Sequence, residues 1–176
     1  MARYTDKTES IKNILKEATN FKLEQLELFL LEIERKLESD KTELSQRREN
    51  DIKREMRDPE IQSLFDELYY EDEFYKIENI FLKTFRYSAI VTIYSLLENS
   101  MNNLCEILQQ LKKLSLSFTD LHGNGIKRAK LYLQKVCLVD FPESTDRWSQ
   151  VQSINTIRNC IIHVEGNIHS AKNSQK

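Results

Sequence analysis

Arg86-Tyr87-Ser88-Ala89-Ile90-Val91-Thr92-Ile93-Tyr94-Ser95-Leu96-Leu97-Glu98 is apolar around most of its helical circumference, and Leu104, Ile107 and Leu108 extend that character. A helix with so little wet surface belongs at the centre of a bundle. The pattern predicts a long helix from about Phe74 to Lys113. The rest of the chain agrees. Three Gly and two Pro in 176 residues leave few breaks. Leu, Glu, Lys, Gln and Ile are abundant, and no segment alternates with the period of a strand, so the fold class is all-α. The length fits one domain, or one domain with an extension, and 40% hydrophobic residues can build a core.

Upstream, a first long helix begins near Thr8 or Asn20 and runs towards Met56. Leu23, Leu26, Leu30, Ile33, Leu37 and Leu44 recur at heptad-like spacing, interrupted by Asp40. Only Ile52 and Met56 remain apolar among Arg47, Arg48, Lys53, Arg54 and Arg57, a run that reads as a solvated face and secondarily as an RNA-contacting arm. Asp58-Pro59 supplies a cap followed by proline at a first helical position, which predicts a new start there. Glu60, Asp66, Glu67, Glu71, Asp72, Glu73 and Glu78, with Lys76 as the one base, form an acidic surface.

Downstream, Ser115–Gly125 reads as a loop around Gly123-Asn124-Gly125. A shorter helix follows over Ile126–Val139, with Lys127, Arg128 and Lys130 at its start. Phe141-Pro142 ends that segment, Ser144 or Thr145 caps a last helix reaching about Glu165, and Gly166 terminates it. Residues 167–176 are a polar tail expected to fray. The organisation is therefore an N-terminal helical extension over 1–73, partly coiled-coil-like, a bundle over 74–166, and the tail.

Charge and cysteine usage narrow the function classes. The net charge is −2, but residues 122–176 carry +4 and the first 121 residues −6, a modest basic bias permissive for RNA. Cys105, Cys137 and Cys160 lack paired spacing, which predicts free thiols and no structural zinc. Three histidines and scattered acids give no metal-ligand cluster, so neither metal nor cofactor is expected. Met1–Ser10 lacks the apolar core of a signal sequence, and Ala89–Leu97 is too short to span a bilayer. A cytoplasmic protein without membrane association is the expectation.

The candidate chemistry lies in Ile157-Arg158-Asn159-Cys160-Ile161-Ile162-His163. On a helical wheel, Val151, Ile154, Ile157 and Ile161 form an apolar stripe starting at Trp148, and Asn155, Asn159 and His163 share an adjacent face. Arg158 and His163 differ by about 140°, so they converge only by leaning into a shared groove, such as a cleft between two copies. Histidine titrates near neutrality and can transfer protons, and arginine offers permanent charge and forked donors to phosphate. Glu98 lies on the seam Val91, Tyr94, Glu98, Met101, Cys105, Leu108, where an unpaired carboxylate is costly. Arg158 is its expected partner, with Arg86 as rival. The structural alternative makes Arg158 a partner for acidic neighbours and His163 a satisfied helix-end residue.

Arg158-Asn159-x3-His163 resembles the Arg-x(4–6)-His motif of HEPN domains, and Arg86–Glu98 resembles the first core helix of that family. The likeness covers about residues 74–166. It implies a four- or five-helix up-down bundle, with the N-terminal helical extension outside it. It also implies a homodimer with two motifs facing one cleft, and metal-independent cleavage of RNA to cyclic-phosphate and 5′-hydroxyl ends. Carried over, Arg158 binds phosphate, His163 is the acid/base, Asn159 supports both and Glu98 is auxiliary. Lys127, Arg128 and Lys130 are the candidate RNA-binding side chains. Many such proteins are toxins or act in phage defence, with an antitoxin or defence-system protein as partner. In the branch regulated by a nucleotidyltransferase antitoxin, a tyrosine stands two residues beyond the histidine; here Glu165 does. The alternatives are a catalytically inactive HEPN-like module for dimerisation or partner binding, and a coiled-coil scaffold built on Leu23–Leu44.

Overall fold

The computed structural model describes residues 2–55, 60, 63–64, 69–164 and 166, with the side chains of 2–9, 11–12 and 54–55 excepted. The expected Asp58-Pro59 helix start, Met56, Arg57, Asp66, Glu67, Glu165 and the polar tail lie outside the described residues. The fold is all-α, with a long N-terminal helix. Among the described residues four helices carry it: α1 (Ala2–Glu55), α2 (Glu71–Lys112), α3 (Gly125–Lys135) and α4 (Asp146–Val164). By contacts the chain divides into two compact units, Met1–Arg86 and Tyr87–Lys176.

In the first unit, α1 runs unbroken from residue 2, well before either expected start. Leu26, Leu30, Ile33, Leu37 and Leu44 are its half-buried stripe, while Leu23 stays exposed. Asp40 interrupts the stripe without an isolated charge, because Lys36 pairs with it at 2.5 Å. Within α2, Lys76–Phe81 forms a π-turn. That wide turn lets Ile77 and Leu82, five residues apart, both be buried; in a regular α-helix they would diverge by about 140°. Lys41–Glu78 and Tyr70–Asp51 link the two helices, and Arg86 Nε pairs with Glu34 at 3.1 Å.

The second unit forms its core where α2 meets α3. Tyr94, Met101 and Cys105 from α2 pack with Ile126, Ala129, Tyr132 and Leu133 from α3, joined by Phe118, Cys137 and Trp148. Positions 126, 129 and 133 share a face of α3 by helical periodicity. Ala129 has no exposed surface, and its carbonyl accepts a hydrogen bond from Cys105 Sγ at 3.6 Å. Tyr132 is equally buried and donates its phenolic hydrogen to the Leu116 carbonyl at 2.7 Å. Burial of each large side chain here contributes about 2–3 kcal/mol.

Two boundaries differ from the sequence expectation. Helix α3 stops at Lys135 rather than Val139. Leu138 adopts φ +54°, and the amides of Cys137 and Val139 turn back to the carbonyls of Tyr132 and Leu133, so the helix closes without glycine. The central helix is also less enclosed than its pattern predicts: Ile90, Val91, Leu96 and Leu97 are half-buried and Ile93 is exposed. By length and composition α2 could cross a membrane, a description that the core helix of a bundle also meets.

Cys105 and Cys137 are fully buried, and burial pushes their thiols up, Cys105 to about 12. We expect thiol reagents to modify Cys160, which is half-buried, at least tenfold faster than either core cysteine in the native chain. A raised folded-state pKa stabilises fully below the ordinary thiol value, and that stability is lost as pH rises through the folded value. Denaturant midpoints should therefore fall progressively above about pH 9. Equal labelling of all three cysteines before unfolding would contradict this core.

Candidate functional site

Helix α4 begins where Thr145 Oγ1 accepts a hydrogen bond from the Trp148 amide at 3.3 Å, which settles the capping residue as Thr145 rather than Ser144. Trp148 is buried edge-on against Phe141, ring centres 4.8 Å apart, with Lys130 Nζ 5.4 Å from the indole ring. This anchor sets the rotation of the helix. Trp148, Val151, Asn155 and Arg158, at 3-4-3 spacing, are buried or half-buried, and so is Asn159.

The expected apolar stripe is therefore only partly inward. Val151 and Ile161 are half-buried, but Ile154 and Ile157 are 36% and 49% exposed. Seating the large indole and the Arg158 guanidinium outweighs hiding two isoleucines. At the motif the amphipathic pattern is mixed: Arg158, Asn159 and Ile161 are half-buried while Ile157 and Ile162 are exposed.

Arg158 lies with Cζ 5.4 Å from the centre of the Tyr94 ring, a cation–π geometry. Its Nη1 donates to Asn159 Oδ1 at 2.9 Å. Its Nε is buried and has no hydrogen-bond partner among the described residues. Tyr94 holds its phenolic proton more tightly than usual, first because it is buried and then because Glu98 is near, with Arg158 acting in the opposite direction. Arg158, Asn159, Tyr94 and Glu98 thus share one neighbourhood in the second unit.

The expected Glu98–Arg158 ion pair is not formed, and neither is the rival pair with Arg86, which binds Glu34 instead. The Glu98 carboxylate lies instead at the start of α3, with Oε1 3.4 Å from where a Cβ on Gly125 would be. Asn124 gives that helix no side-chain cap, and an anion beside a helix N-terminus is favoured by the exposed amides and the helix dipole. Glycine serves here by its φ of +58°, which L side chains rarely adopt, while a Cβ at this position would only touch the carboxylate at ordinary contact distance.

His163 is exposed, in the last turn of α4, with no hydrogen bond or ion pair among the described residues. The backbone beneath it is fixed. Gly166 N–H donates to the Cys160 carbonyl at 3.1 Å, and a Cβ on Gly166 would lie 2.2 Å from Tyr87 Oη. Within one chain the structure does not bring His163 to Arg158.

The three candidate RNA-binding residues differ. Lys127 is exposed. Arg128 stacks its guanidinium 5.4 Å from the Phe118 ring and buries an unpartnered Nε. Lys130 is engaged with Glu143 at 2.6 Å as well as with the Trp148 and Phe141 rings, so it fixes the segment before α4 and is not a free phosphate contact. Among the described residues no group of three or more His, Cys, Asp or Glu side chains is placed to hold a metal. Sequence reasoning missed Tyr94 as part of the site. Its position four residues before Glu98 was the available signal, but an aromatic on an apolar seam reads as core.

In comparisons with known proteins, no family profile, curated protein or solved structure matches this chain.

Gly125→Ala should lower stability by about 1–2 kcal/mol through backbone strain at positive φ. Glu98→Gln, which breaks no ion pair, should cost less than about 1 kcal/mol. Urea titration of both variants checks the pair, and a larger loss for Glu98→Gln would restore a buried salt bridge as its role.

Proposed function

We propose that this chain is a metal-independent endoribonuclease of HEPN type, working as a cytoplasmic homodimer in a toxin or phage-defence setting. One observation carries the reading: α4 turns Arg158 and Asn159 inward with no carboxylate among the described residues pairing the guanidinium, while His163 five residues on stays exposed. An arginine kept for architecture is ordinarily paired when it is withdrawn from water. One left charged five residues before an exposed histidine suits a phosphodiester once a second copy brings the two together.

In the proposed reaction the RNA 2′-oxygen attacks the adjacent phosphorus and the bond to the 5′-oxygen breaks. The products are a 2′,3′-cyclic phosphate and a 5′-hydroxyl. Arg158 offsets the negative charge that builds on the phosphorane oxygens, and Asn159 holds its Nη1. His163 either removes the 2′-proton or supplies one to the leaving oxygen. Lys127 is a candidate contact to flanking phosphates. Because Arg158 and His163 diverge by about 140° on one helix, a composite site uses the histidine of one copy with the arginine of another, or a shared cleft. Ile154, Ile157 and Ile162 are the exposed apolar side chains that a second copy would cover.

The same exposed isoleucines support the second reading, a HEPN-like module that dimerises or binds a partner protein without catalysis. Labelled total RNA incubated in EDTA separates the two. We expect the parent to cut and to leave cyclic-phosphate ends. Arg158→Ala and His163→Ala should each lower the rate at least 100-fold while remaining folded. If either variant cuts like the parent, the site assignment is wrong. Absence of cutting by the parent would move the assignment to the non-catalytic module.

A further inference from the structure

Among the described residues, the groups that hold Arg158 in place are uncharged. Arg158 Cζ lies over the Tyr94 ring and the Asn159 amide oxygen accepts from Nη1, with Nε left buried and unpartnered among the described residues. Glu98 is the carboxylate on the same seam, and it lies beside Gly125 with no ion pair to Arg158. An arginine fixed by a carboxylate surrenders most of its field to that partner. One fixed by an aromatic face and a neutral amide is immobilised with its charge intact. The buried Nε adds a standing cost that an arriving oxyanion can relieve once the guanidinium shifts to meet it.

We propose that Tyr94 is the positioning residue of the Arg158 site: its ring orients the guanidinium for an incoming phosphate and keeps it from collapsing onto Glu98. The proposal rests on the nuclease reading for its biological meaning. Its physical content, an oxyanion site on Arg158 that depends on the Tyr94 ring, stands separately. The hydroxyl has no part in it, so phenylalanine should replace tyrosine and an aliphatic residue should not. Without the ring, Arg158 and Glu98 are free to pair, and removing that carboxylate should restore part of the lost function.

The test uses the full chain and inorganic phosphate, followed by NMR of the arginine Nε–Hε groups. In the parent and in Tyr94→Phe, the Arg158 signal should show a ring-current shift and should move further as phosphate is added. In Tyr94→Leu the ring-current shift should vanish and phosphate affinity should fall about tenfold, the scale of a partly desolvated cation–π contact. Tyr94→Leu combined with Glu98→Gln should recover part of that affinity. Tyr94→Met serves in the same way if the leucine variant does not fold. A parent whose Arg158 signal ignores phosphate overturns the proposal, as does an aliphatic variant that binds phosphate like the parent.

RNA cleavage by the same proteins separates this idea from the nuclease reading. A phosphate response without cleavage leaves the Tyr94-dependent site standing and sinks the nuclease. If the parent cleaves, Tyr94→Leu should lose mainly kcat and Tyr94→Phe should not. Cleavage undiminished in Tyr94→Leu would remove Tyr94 from the site.

Discussion

The close approach of α2 and α3 at Cys105 and Ala129 is the contact on which the second unit depends. Both residues are small and fully buried, and the Cys105 thiol donates to the Ala129 carbonyl. Bringing the two backbones together there puts Tyr132 and Leu133 into the core and leaves Tyr94, three turns earlier on α2, facing α4. It also places Gly125, the first residue of α3, beside Glu98. Larger residues at 105 or 129 would separate the helices and with them the neighbours of Arg158.

The second determinant is a competition along α4. The helix carries enough isoleucine to be an ordinary amphipathic packing helix, yet Trp148 fixes its rotation at one end and Arg158 meets Tyr94 further on. Burying an indole and stacking a guanidinium outweigh exposing Ile154 and Ile157, each of which loses only part of its apolar stabilisation. A chain selected for monomer stability alone would hide those isoleucines. Their exposure and the inward turn of Arg158 are two consequences of one rotation.

Much of the fold was legible in the sequence because periodicity and punctuation report local physics. The sparse Gly and Pro, the apolar run after Arg86 and the Gly123-Asn124-Gly125 cluster led to the all-α class and to the loop before α3. What failed was long-range. The end of α3 was misplaced because Leu138 takes a left-handed conformation that sequence ordinarily assigns to glycine. The α4 stripe was misassigned because a helical wheel counts apolar positions equally, whereas one tryptophan outweighs several isoleucines in setting rotation. Lys130 looked available for phosphate because nothing in its neighbours shows that Glu143 and two rings enclose it.

Glu98 shows why the site was only half legible. A carboxylate on an apolar seam must find compensation, and that much follows from position alone. Sequence offers cations as the obvious partners, since backbone amides carry no letter code. The structure places Glu98 at the uncapped start of α3, where the helix dipole and exposed amides favour negative charge. Among the described residues Arg158 has no ion-pair partner. Glu98 and Arg158, both half-buried, thus stay unpaired with each other: the carboxylate lies beside Gly125 and the guanidinium over the Tyr94 ring.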